Sequence, residues 1–402
     1  MKKKLIRILF LLLIFSNLYL GANKIFFGLS VRVPLSMITL IFLLSSNINF
    51  PPKKNMFLIL LIPIFYFISS LFDINSVIIV FFKDIIISRF FISIIIAIYV
   101  YTFVEIITYK FMVRSLIFFL ALNSIIIIGQ YFNFDFIWNL TALLAPDRFD
   151  INEIIRVFDK NFVIEGLVGT VYSGYLNVVL IGLILINYNY RPKEHLLNNI
   201  LIFITLSSSF FLDQRASFYF VIFFISYHFY DIQKQKTLFF KSFYLISIIF
   251  ISFIFIDFFK NTIFISSIFS IEDENRALLY NYCLSFINDN ILLGGYEMFK
   301  LKYSAGISPH NLFFNAHIRS GLLGFFVSVC LTYDVLKYFK SSITDLSYRV
   351  NYFFKYSSFI LFGLWFLSLT HNDGFITGEL FTVTFYFFIP KLKKFNEINY
   401  NN

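Results

Sequence analysis

Long apolar runs, broken by short charged connections, follow one another along almost the whole of this chain. A helix needs roughly twenty apolar residues to cross the hydrocarbon core of a bilayer. About twelve such runs can be counted, several of them short and closely spaced. They fall near 5–21, 33–49, 56–72, 85–107, 112–131, 163–187, 197–213, 216–232, 241–258, 311–334, 354–370 and 375–390. The fourth carries Lys83, Asp84 and Arg89 at its start, which leaves its boundary the most open. Backbone polar groups in lipid must be satisfied within each segment, so the pattern predicts an all-α integral membrane protein. Residues 1–402 read as one polytopic membrane domain.

The connections between the runs give an orientation. Alternate connections are basic: Pro51-Pro52-Lys53-Lys54, Tyr109-Lys110 with Arg114, Arg191-Pro192-Lys193, Lys234-Gln235-Lys236 with Lys241, and Lys337 through Lys355. The tail adds Lys391, Lys393 and Lys394. The other set is acidic or balanced, with Asp73, then 133–162, then 259–310. Cytoplasmic loops collect Lys and Arg, so both termini are expected in the cytoplasm. Two external segments are long, and long loops in compact proteins commonly carry function. The shorter, 133–162, reads as loop around a short helix at Asn152–Asp159. The larger, 259–310, lies between the ninth and tenth runs and contains a helix start at Glu272–Tyr280, with acids in its first turn. Gly294-Gly295 is expected to stop that helix.

Composition agrees with the pattern. Of the 402 residues 59% are hydrophobic and only 14% charged, and the mean hydropathy is +0.79. A soluble domain buries only one core's worth of apolar surface and has no use for this much. The net charge of +10 would suggest nucleic acid in a soluble chain; here basic cytoplasmic loops account for it, and no nucleic-acid partner is expected. Met1-Lys2-Lys3-Lys4 before Leu5–Leu20 has the look of a signal peptide, but Gly21-Ala22 is a poor cleavage site, so an uncleaved first helix is expected. Cys283 and Cys330 show no metal or redox spacing, and a loop thiol has no reason to pair with one inside a span.

Candidate chemistry gathers at three external corners. Asp213-Gln214-Arg215 leaves almost no loop between two apolar runs, so Arg215 must snorkel to headgroups, be paired, or function. Ser308-Pro309-His310-Asn311 closes the large loop, and Pro309 permits a helix start there. Gly321 and Gly324, three apart, would share one helix face and allow close packing. By itself His310 reads as an interfacial side chain. His371-Asn372-Asp373-Gly374 makes a polar turn between the last two runs. His310, His317 and His371 have no metal-ligand spacing and Arg319 stands nearby, so no metal is expected. Arg215, Arg276 and His310 together suit a diphosphate-linked lipid. Guanidinium offers paired donors to phosphate oxygens, fixed cations stabilise a departing diphosphate, and an imidazole can take the proton of an attacking hydroxyl.

His310-Asn311 followed by Gly321-x-x-Gly324 after a long external loop resembles the signature of the bacterial O-antigen polymerase and ligase superfamily. Asp213-Gln214-Arg215-Ala216-Ser217 is similar to that family's Arg-containing corner, and Arg276–Tyr280 to its Arg-led loop helix. The usual proline of the following turn is absent before Gly294-Gly295, and the match at Asp373 is loose. The resemblance covers about 165–375, while 1–160 match only in hydrophobicity and span number. It implies a GT-C-like glycosyltransferase of the bacterial inner membrane with a periplasmic active site, using neither metal, cofactor nor nucleotide-sugar. Its substrate would be an oligosaccharide on undecaprenyl diphosphate, with membrane lipids around it and a chain-length regulator as partner. Carried over, Arg215 and Arg276 would bind the diphosphate, His310 would position or deprotonate the acceptor, Asp373 would support it, and Asn311, Gly321 and Gly324 would shape the site. A repeat-unit polymerase is preferred. A ligase acting on lipid A–core and a lipid-linked-sugar transporter stay open, although no repeat between the two halves supports transport.

Overall fold

Each apolar run that falls within the described residues contains a helix. The computed structural model describes residues 2–19, 24–26, 29–71, 89–144, 164, 166–167, 170–212, 215–232, 274–303, 311–344, 351–369 and 374–393. The run near 241–258 and the short helix expected at Asn152–Asp159 lie outside them. The helices are α1 (Lys2–Tyr19), α2 (Arg32–Leu44), α3 (Lys53–Ser70), α4 (Arg89–Ile107), α5 (Tyr109–Tyr131), α6 (Asp135–Leu144) and α7 (Thr170–Tyr190). They continue with α8 (His195–Phe211), α9 (Arg215–Ile232), α10 (Glu274–Asp289), α11 (Tyr296–Tyr303), α12 (Leu312–Thr344), α13 (Tyr352–Ser368) and α14 (Leu380–Leu392). A small antiparallel ladder pairs Lys24–Phe26 with Leu29–Ser30. Among the described residues α3, α5, α12 and the stretch Phe90–Ile107 of α4 are long and apolar enough to cross a membrane, while α2 and α14 are apolar but shorter.

Two compact units divide the chain, one comprising 1–119, 144–148 and 274–402, the other 120–143 and 149–273. In the first, α4 packs on α1, α2 and α14; α13 lies between α12 and α14; and α3 packs along α12. Two asparagines bind this arrangement at opposite ends of α13. Asn351 caps α13 by accepting from the Phe354 N–H at 3.0 Å, and its amide donates to the Leu392 carbonyl at the end of α14, 2.7 Å away. Asn311 does the same at the start of α12, reaching the Leu369 carbonyl past the end of α13 at 3.2 Å. Each side chain satisfies an orphan donor of one helix and an orphan carbonyl of its antiparallel neighbour. In the second unit α7 packs against α8 and α9. Its residues from Tyr175 to Ile186 are wholly buried, as an all-round apolar helix requires. Asn177, within that stretch, accepts from the Ser124 and Ser208 hydroxyls at 2.9 and 3.3 Å.

Several boundaries differ from expectation: the run near 33–49 is helical only as far as Leu44, and that near 375–390 only from Leu380. The segment 133–162 is not simply loop, because α6 occupies Asp135–Leu144. Asn133 takes a left-handed conformation, φ 57°, and accepts the Trp138 indole N–H at 2.9 Å, which turns the chain into that helix. The tenth run, placed at 311–334, continues as helix to Thr344. Hydrophobicity marks the lipid-facing length, whereas the helix ladder runs on through polar residues such as Lys337 and Lys340.

Asp334 is buried within α12, and its carboxylate accepts from Lys54 Nζ at 2.5 Å and from the Tyr386 hydroxyl at 2.8 Å. Asn55 beside Lys54 donates to the Tyr386 carbonyl at 2.9 Å, so the group ties α3, α12 and α14 together. The Asp334 carboxylate is buried but the Lys54 side chain is 64% exposed, so water screens the lysine's share of the pair. The buried tyrosine hydroxyl carries more, since leaving it unsatisfied costs about 2 kcal/mol. Asp334→Ala is therefore expected to lower the thermal midpoint of the detergent-solubilised protein clearly, and Lys54→Ala much less. Equal losses in a melting experiment would place the weight on the ion pair instead.

Candidate functional site

In sequence the large loop ends where α12 begins. Asn311 stands there as N-cap, its side-chain oxygen accepting from the Phe313 and Phe314 N–H groups at 2.9 and 3.3 Å. Its bond to the Leu369 carbonyl ties the start of α12 to the end of α13. Two segments far apart in sequence thus meet through one side chain.

A turn of the loop inserts into the backbone of α12. Gly321 leaves the helix with φ 63° and ψ −156°, a region open essentially to glycine. In an unbroken helix the Leu322 N–H would donate to Ile318. Here it donates to the Leu292 carbonyl at 3.3 Å, and the Ile318 carbonyl accepts instead from the Gly295 N–H at 2.7 Å. One intrahelical bond is replaced by two bonds to the loop, so the break leaves neither group unsatisfied. Gly294, with φ 70°, fits against the break because a Cβ on it would lie 2.7 Å from both the Gly321 nitrogen and the His317 carbonyl. The Ser69 hydroxyl at the end of α3 donates to the Leu293 carbonyl.

The expectation that Gly321 and Gly324 share a helical face for packing is therefore corrected. Gly321 is the break that admits the turn. Gly324 lies in the helix beyond it, where an added Cβ would come within 2.6 Å of the Ala316 carbonyl.

The loop itself is built on α10 and α11. Leu279, Cys283 and Phe286 of α10 pack with Phe299 of α11 on Ile318 of α12, with Tyr282, Tyr296, Tyr303 and Phe314 around them. Burial pushes the Cys283 thiol up to about 12, which keeps it protonated and makes it a packing group. Lys302 donates to Asp289 at 2.7 Å, an exposed pair that raises the lysine above its ordinary value and adds little to stability. Among the described residues the helix expected from Glu272 covers Glu274–Asp289 and is followed by the Gly294-Gly295 turn as anticipated.

Asn311 caps α12, and Gly321 and Gly324 lie about three turns further along it. Arg276 falls in the first turn of α10 in the same unit, and Arg215 opens α9 in the other unit; the side chains of both lie outside the described residues. His310 and Asp373 also lie outside them, as does His371. No family model, curated protein or solved structure matches the chain.

Sequence reasoning weighed His317 and Arg319 only as evidence for or against a metal, and passed over Asn315 beside them on α12. Asn315 and His317 are both buried there, next to the half-buried Arg319. The His317 ring lies against the backbone at 290–291, and its Nε2 makes no hydrogen bond of normal geometry among the described residues. The signal was available, since an Asn, a His and an Arg within five positions of an apolar run are costly in lipid and need a reason.

Proposed function

We propose that this chain is a membrane glycosyltransferase that transfers a glycan from undecaprenyl diphosphate to the hydroxyl of a second lipid-linked repeat unit: an O-antigen or polysaccharide repeat-unit polymerase. The observation that carries the reading is the signature His310-Asn311 with Gly321-x-x-Gly324 at the junction where a large polar loop enters the helical body. It is supported by the work those residues do there, with Asn311 tying the corner to α13 and Gly321 admitting the loop turn. The reading includes about twelve spans, a GT-C-like architecture, termini in the cytoplasm and an active site on the periplasmic side of a bacterial inner membrane.

In this mechanism the acceptor oxygen attacks the anomeric carbon, and the bond from that carbon to the phosphate oxygen breaks. The proton of the attacking hydroxyl passes to the His310 imidazole, with Asp373 supporting it. The departing diphosphate takes the bonding electrons, and Arg215 and Arg276 hold its added charge through paired donors. The chemistry consists of charge stabilisation and one proton transfer, both supplied by side chains.

Loss of the gene distinguishes the related reactions by what accumulates. A polymerase mutant is expected to attach single repeat units to lipid A–core. Full-length glycan left on the lipid carrier would identify a ligase, and repeat units trapped facing the cytoplasm would identify a transporter.

A further inference from the structure

Arg319 of α12 occupies an aromatic cage. Its guanidinium carbon lies 4.3 Å from the ring centre of Tyr296 on α11 and 5.4 Å from that of Tyr66 on α3. Its Nε donates to the side-chain oxygen of Asn315, one turn earlier, at 2.7 Å. Asn315 is 2% exposed, so its direction is fixed. Three helices thus hold the guanidinium in one orientation, and no carboxylate among the described residues pairs with it. A second cation shares the ring, for Lys300 Nζ stands 4.7 Å from the centre of Tyr296. Lys300 has a carboxylate, Glu297, at 2.6 Å. Two positive charges therefore converge on one tyrosine with a single negative charge beside them.

A charge in an apolar span needs a partner, and the ring quadrupoles supply only part of one. Asn315 uses the Nε–H alone, which leaves the Nη donors of the guanidinium fork, the edge that binds oxyanions in bidentate fashion. We propose that Arg319 and Lys300 form an oxyanion-binding site, taking a phosphate or diphosphate group at the junction of α3, α11 and α12. The site uses none of Arg215, Arg276 or His310 and does not depend on the glycosyl-transfer reading. Tyr66 and Tyr296 hold the cation, Asn315 sets its rotation, and Lys300 adds a point charge on the loop side.

The test is binding of radiolabelled inorganic pyrophosphate to the full chain in maltoside micelles, which carry no phosphate. It is made in the Arg215→Gln, Arg276→Gln background, so that the transferase site contributes nothing. Saturable binding is expected there, weakened about tenfold to a hundredfold by Arg319→Gln and less by Lys300→Gln. Lys302→Gln, which alters an exposed lysine already paired with Asp289, is expected to leave it unchanged. Arg319→Lys, which keeps the charge and serves if the glutamine variant does not fold, is expected to weaken binding severalfold because the fork is lost. Adding phosphatidylglycerol separates the sources: displacement of pyrophosphate assigns the site to a lipid headgroup, and persistence assigns it to a diphosphate ligand. Absence of saturable binding in the double-variant background, or affinity unchanged by either Arg319 substitution, overturns the site. The transferase reading stands or falls separately, on the accumulation phenotype.

Discussion

Gly321→Ala is expected to destabilise the protein by on the order of 3–5 kcal/mol, a cost built from backbone strain and two lost hydrogen bonds. The backbone there has φ 63° and ψ −156°, and an added Cβ would lie 2.1 Å from the Leu292 carbonyl oxygen, far inside contact distance. Keeping the conformation strains the alanine by about 1–3 kcal/mol. Relieving the clash pushes the 292–295 turn away and breaks the bonds from Leu322 to Leu292 and from Gly295 to Ile318. Each of those is worth about 1 kcal/mol, and the groups left behind are costly to bury. Thermal melting in detergent should show a large drop in midpoint, and limited proteolysis should cut faster in 274–303. Gly324→Ala also crowds its neighbours, but without a positive φ to strain it should cost less. Wild-type melting in Gly321→Ala would mean that the loop turn contributes nothing to holding α12.

His310→Ala and Arg215→Ala are each expected to reduce glycan transfer roughly a thousandfold or more while the protein still inserts and folds. In the proposed transferase mechanism the proton acceptor and the diphosphate-binding cations act on charges that develop only in the transition state, so on that reading their removal falls on turnover more than on substrate binding. Arg276→Lys should also impair transfer, because a point charge cannot copy a bidentate fork. The measurement is polymer formation from purified lipid-linked repeat unit, with membrane-inserted protein quantified alongside. Full activity in the His310 or Arg215 variant would remove that residue from the site; a wild-type rate in Arg276→Lys would leave Arg276 a structural role.

His310 and Arg215 were visible because polar residues at the ends of apolar runs stand out against their surroundings. Gly321 was also visible, yet its role was misread: spacing of three suggests a helical face, and nothing local tells that a turn thirty residues earlier will displace the helix ladder. That pairing follows from the φ available to glycine at both partners, Gly294 and Gly321, and becomes apparent only when the loop has docked. Arg319 was likewise legible as a misplaced charge, but Tyr66 and Tyr296, which cage it, come from two other helices.

What the sequence determined by itself is the material and most of the helices. Apolar runs in lipid must become helices, so α1 to α5, α7 to α9 and α12 to α14 follow from hydrophobicity alone, as does the helix that precedes Gly294-Gly295. The tertiary structure decided how their ends are closed. Asn311 and Asn351 bond across to the last carbonyls of neighbouring helices, Asp334 gathers three helices, and the loop turn replaces a rung of α12. The reason is physical: burial is written in each residue's own polarity, while a hydrogen-bond partner depends on which backbone group arrives opposite it.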